Sequence, residues 1–257
     1  MGIVVELFGP PAAGKTTLAR GLSAALSRRF DVRSVSSARP SERESVCSTG
    51  STPFATLLPS ISAPLSRAIK LIGVLPALAA GNDAVGVRLL HVLQPARRTD
   101  RLRYRRYLAK LAARWRQAQR ENAVTVIDQG YHQAVASLLV LGHKTGGPEV
   151  RAALEIIPAP HVLIEVKAPI EVVERRLRRR LERQGSLERL FECSLAENLE
   201  HINAVAALRT TLMASGKSAI FATTCDDNND PTITADDLAA RITEAIEAYA
   251  MTAMATL

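Results

Sequence analysis

The sequence predicts an α/β fold of three layers, with a five-stranded, mainly parallel sheet between two layers of helices. Strand and helix signals alternate along the chain, which argues for parallel strands joined by crossover helices. A Gly-rich turn separates the first apolar run from the first helix, and 257 residues suit one α/β domain with an inserted helical region. The first strand is about Ile3 to Phe8, followed by a helix ending near Leu26 and a short strand from Asp31 to Ser36. Ser36 to Thr56 is rich in Ser, Thr, Pro and charge without periodicity and reads as a loop. Helical patterns then cover Pro64 to Ala80, Asp83 to Leu93 and Asp100 to Asn122, broken at Gly81-Asn82 and Pro95. Val124 to Ile127 is a buried strand ending in Asp128, with a helix from near Tyr131, and Val162 to Val166 repeats the strand pattern. Pro169 opens a charged helix, Ile170 to Gln184, closed by Gly185. A helix at Leu187 to Ser215, a strand at Ser218 to Ala222 and a helix at Thr234 to Met251 complete the chain.

Gly9-Pro10-Pro11-Ala12-Ala13-Gly14-Lys15-Thr16-Thr17 is a complete G-x-x-x-x-G-K-T signature in a strand, loop, helix setting. A polyphosphate needs many hydrogen-bond donors converging on a small volume, and a loop relieved by glycine lets backbone N–H groups, those of Ala12 and Ala13 among them, approach closely. Lys15 reaches the β- and γ-phosphates in such a loop, Thr16 places its hydroxyl on Mg²⁺, and Thr17 suits an α-phosphate contact. The helix that follows turns its positive end toward the anion. The expected ligands are ATP and Mg²⁺, in a P-loop NTPase fold.

Composition bounds the setting. The 33 basic and 25 acidic side chains give +8, concentrated in two stretches. Arg97 to Arg120 holds ten basic residues against Asp100, and Arg175 to Arg189 holds seven against Glu182 and Glu188. Both suit anions, polymeric or small. Cys47, Cys193 and Cys225 have no C-x-x-C pairing and read as reduced thiols. With a strand beginning at residue 3 there is no room for a signal segment, and Ala68 to Ala80, the most apolar stretch, is too short and interrupted to span a bilayer. A cytoplasmic protein without membrane insertion is expected.

A phosphoryl transferase also needs an acid at the end of a buried strand, to place Mg²⁺ or to take the acceptor's proton. Asp128 stands there, as metal holder, general base or cap of the next helix. Gln133 suits either a substrate or the helix end. After Pro169, Arg176, Arg180 and Arg183 share one helical face, where they could close over transferring phosphates, with Glu171, Glu174 and Glu182 as alternative partners. Arg101, Tyr104, Arg105 and Leu108 neighbour one another on the preceding long helix, making Arg105 an acceptor-binding candidate, with Arg39 another. Trp115 reads as core. His132 and His143 show no metal spacing and no acid pattern of a triad.

The order of phosphate loop, strand-end Asp and a P-x-E-x-x-x-x-R-L-x-x-R helix resembles the thymidylate-kinase-like branch of P-loop nucleoside and nucleotide kinases. The resemblance implies ATP on Gly9, Gly14, Lys15, Thr16 and Thr17. It also implies a lid at residues 170–190 with Arg176 and Arg180 as phosphate clamps, an adenine loop at about Thr224 to Pro231, and an acceptor region within residues 36–122. Where thymidylate kinases place Arg after the Asp, and deoxynucleoside kinases have Glu-Arg-Ser, this chain has Gln129. The fold and donor therefore transfer, and the acceptor stays open among nucleosides, nucleotides, sugars and other small hydroxyl compounds.

Two rival classes fall away on sequence. A regulatory GTPase requires an N-K-x-D or T-K-x-D motif, which is absent, and Asp83-Ala84-Val85-Gly86 matches D-x-x-G only inside a helical pattern. A remodelling ATPase requires an acidic pair after its second motif strand. A nucleic-acid-stimulated ATPase remains the alternative. The expected partner is a small phosphoryl acceptor, nucleic acid less so, with a homodimer left open.

Overall fold

The computed structural model describes residues 2–35, 83–144, 147–183, 195–215, 220–225 and 231–255. The expected loop at 36–56 with Arg39, the helix at 64–80, the far end of the lid at 184–190, Cys47, Cys193 and most of the adenine loop lie outside them.

The elements are β1 (Ile3–Phe8), α1 (Lys15–Leu26), β2 (Val32–Val35), α2 (Ala84–Leu93), α3 (Arg98–Arg120), β3 (Val124–Ile127), α4 (Tyr131–Leu141), α5 (Pro148–Ile156), β4 (Val162–Lys167), α6 (Ile170–Arg183), α7 (Leu195–Ser215), β5 (Ile220–Thr224) and α8 (Pro231–Ala255). The five strands form one sheet in the order β2-β3-β1-β4-β5, and every pairing is parallel. Central β1 and β3 are buried throughout, as a parallel sheet covered on both faces requires. The edge strands β2 and β5 are only partly covered.

Alternation along β1 divides the core. Ile3, Val5 and Leu7 pack with α1 and α8. Val4 and Phe8 face a larger cluster that includes Leu108, Leu111 and Trp115 of α3, Leu138 and Leu139 of α4, and Leu208 of α7. Trp115 meets the Tyr131 ring edge-on, with centroids 5.2 Å apart. Helix α5 was not expected from the sequence, although Gly147 before Pro148 and the buried pair Val150 and Ala153 carry its signal. The Asp83 and Gly86 spacing is a helix cap, since Asp83 Oδ1 accepts the Gly86 N–H at 2.8 Å. Among the described residues no helix is long and apolar enough to cross a membrane.

His161 fastens the amino end of β4 to β1. Its Nδ1 accepts the Val4 N–H at 3.0 Å, while the backbone N–H of His161 donates to Val4 O at 3.0 Å. Burial pulls the imidazole pKa below its ordinary value, and an Nδ1 that accepts cannot carry a proton. As pH falls the unfolded chain takes up that proton first. The stabilisation is therefore full above the ordinary histidine range and is lost on descent through it to the depressed folded value. Acidification from about pH 7.5 to about pH 5.5 should lower Tm. His161→Asn, whose Oδ1 retains an acceptor, should shrink that drop in a thermal-melt series, and an unchanged drop would count against His161 as its source.

Candidate active site

The carboxyl ends of β1 and β3 bring the loop at 9–14 beside Asp128. Gly9 has φ 155° and Gly14 φ 99°, and a side chain at Gly9 would run into the Val166 carbonyl. Gly14 is left-handed at the N-cap of α1 and has no side-chain cap, so the loop turns its backbone inward ahead of the helix dipole.

Lys15 is 7% exposed, and its Nζ donates to Gly9 O and Pro10 O, both at 2.8 Å. The ammonium is thus held within the curl of the loop. Next along α1, Thr16 Oγ1 donates to Asp128 Oδ2 at 3.1 Å, and Asp128 is buried. Residues 112 positions apart in sequence thereby form a pair of hard oxygen donors. A hydroxyl and a carboxylate at this spacing fit Mg²⁺, which keeps several waters and takes few protein oxygens. Thr17 is exposed on the first turn of α1.

Arg176 of α6 lies over the loop, its Nη1 donating to Ala12 O at 3.3 Å. Arg180 is half-buried one turn further along, whereas Arg175 and Arg179 are exposed and Arg178 pairs with Glu174 at 2.6 Å. Ala13, within the loop, is buried. Cys225 follows β5, with its N–H on Lys167 O at 2.8 Å, and its Cβ lies 3.4 Å from where a Gly14 side chain would begin.

Gln133 is placed against the loop, where its Oε1 accepts the Gly9 N–H at 3.1 Å. Arg105 is exposed on α3, whereas Tyr107 of the same helix is half-buried. Its hydroxyl donates to Gln129 O at 2.9 Å. Desolvation first, then the charges of Tyr104, Glu6 and Asp128, push its pKa well above the ordinary phenol value. Tyr107 therefore stays a donor at any working pH.

Sequence reasoning missed a buried acid. Glu6, fully buried in β1, accepts the His132 N–H through Oε1 at 2.6 Å and faces the His132 Nδ1 through Oε2 at 2.9 Å. The sequence around His132 shows no acid pattern of a triad, and the acid that it meets lies 126 residues away, on β1. The signal in the sequence was a lone carboxylate within an otherwise apolar run. On α7, buried His201 has its Nδ1 on Glu197 O at 2.8 Å. Burial is the main cause of its lowered pKa, and the Lys15 charge adds to it.

No family model matches the chain, and no curated protein matches it. Solved structures with similar folds include the deoxyadenosine kinase of M. mycoides with bound dCTP, 10% identical, covering 95% of this chain and 100% of that one at a TM-score of 0.45. The same enzyme with bound dATP is 10% identical, covering 94% and 99% at 0.46. At these values both are distant from this chain, and the nucleotides they hold are properties of their own sites.

Proposed function

We propose that this chain is an ATP- and Mg²⁺-dependent kinase that transfers the γ-phosphoryl group to a hydroxyl or phosphate of a small acceptor. A nucleoside, a nucleotide or a similar metabolite is the expected acceptor class, on a site of the thymidylate-kinase-like kind. The observation that carries this reading is the 3.1 Å contact between Thr16 and Asp128 beside the Lys15 loop. It unites a triphosphate loop with a metal-binding oxygen pair, and Arg176 already rests on that loop.

The loop amides bind phosphate oxygens and orient the donor. Lys15 and Arg176, with Arg180 beside them, stabilise the charge spreading over the transferring group. Thr16 and Asp128 would hold Mg²⁺, which when bound neutralises charge on the β- and γ-phosphate oxygens. The Thr16 hydrogen bond favours the metal-holding role for Asp128 over that of general base.

The test is ATP consumption by purified protein with Mg²⁺ against nucleosides, nucleoside monophosphates, sugars and single-stranded nucleic acids, with mass detection of products. A small acceptor gaining one phosphoryl group is expected. Free phosphate released only in the presence of polymer would replace this reading with a nucleic-acid-stimulated ATPase whose arginine-rich α3 and α6 track the backbone.

A further inference from the structure

Glu6 has no ordinary reason to be where it is. Along β1 its neighbours are Val4, Val5, Leu7 and Phe8, and it is 0% exposed. A buried carboxylate is costly unless hydrogen-bonded, and a hydrophobic residue of similar volume is often equally stable or more so. What a hydrophobe cannot do is hold a neighbouring element by directed bonds.

Both oxygens of Glu6 go to His132, in the first turn of α4. That helix begins at Gly130 without a side-chain cap of its own, and the first N–H groups of a helix lack partners within it. Glu6 supplies the missing acceptor from β1, at the helix end where unpaired N–H groups need one. Gly130 makes room, since a side chain there would collide with the Glu6 carboxylate.

The turn thus fixed stands between the two contacts that build the candidate site. Gln133, the residue after His132, holds the Gly9 N–H. On the other side, two residues before Gly130, Asp128 holds the Thr16 hydroxyl. We infer that Glu6 and His132 are positioning residues. Their clamp sets where the first turn of α4 sits against β1, and so places Asp128 on Thr16 and Gln133 on the start of the phosphate loop. This rests on the phosphotransfer reading, and gives it a specific supporting shell.

The experiment is isothermal titration of ATP into the full chain, with Mg²⁺ and with EDTA in its place, for the wild type, Glu6→Ala and Glu6→Gln, with circular dichroism to check folding. In the wild type Mg²⁺ should tighten ATP binding. Glu6→Ala should lose about tenfold or more of that Mg²⁺-dependent gain, the usual scale for removing a group that orients a metal ligand, over and above any loss in EDTA from displacing Gln133. Glu6→Gln retains an oxygen for the His132 N–H, and its amide can donate to Nδ1 in the other imidazole tautomer. It should recover most of the loss, which a role in burial alone would not explain.

A folded Glu6→Ala protein with the wild-type Mg²⁺ gain overturns the inference and leaves the kinase reading standing. A wild type that binds no ATP under either condition overturns both. Should Glu6→Ala fail to fold, His132→Ala removes only the ring contact. A smaller loss of the Mg²⁺ gain then supports the clamp, and an unchanged gain overturns it.

Discussion

Lys15→Ala should slow phosphoryl transfer on the order of a thousandfold, several kcal/mol of transition-state stabilisation. The ammonium is nearly buried and tethered to the Gly9 and Pro10 carbonyls, so its position is set before any phosphate arrives. A preorganised charge in a poorly solvated loop acts more strongly than the same charge in water. Single-turnover transfer from saturating ATP to the identified acceptor measures the effect. A Lys15→Ala protein with the wild-type rate would end the proposed mechanism.

Asp128→Asn should produce the next largest loss, on the order of a hundredfold or more in turnover. The asparagine retains the shape and an oxygen that can accept from Thr16, so the fold should persist while the negative charge is lost. Because the charge is what recruits a divalent cation, the Mg²⁺ concentration for half-maximal rate should rise with it. Titrating Mg²⁺ at fixed ATP separates the two roles considered for this residue. A fallen rate with unchanged Mg²⁺ dependence would assign Asp128 to proton transfer instead.

The phosphate loop was legible because its chemistry lies in consecutive residues: glycines at the positive φ values of residues 9 and 14, then Lys15 and Thr16. The inner strands β1, β3 and β4 were legible because a parallel sheet buried on both faces demands near-continuous apolar runs. The Glu6 and His132 pair was not, because spatial adjacency across 126 positions leaves no spacing to read. On α3 the sequence showed which residues neighbour one another but not which stripe points inward. The structure buries Leu108, Leu111 and Trp115, and this phase turns Tyr107 to Gln129 and leaves Arg105 exposed. Arg39 lies outside the described residues.

Because all five strands run in one direction, the sheet has two unlike rims. At the rim where strands end lie the glycine loop, Asp128 and Cys225. At the rim where they begin, Gly2 sits so tightly against the Ala118 and Glu121 carbonyls that no side chain would fit, and His161 is bonded twice to Val4. The first rim carries the polar groups that the proposed reaction uses; the second is packed by close backbone contacts at Gly2 and Val4. Substitutions at the second rim should therefore act on stability, and those at the first on the proposed chemistry.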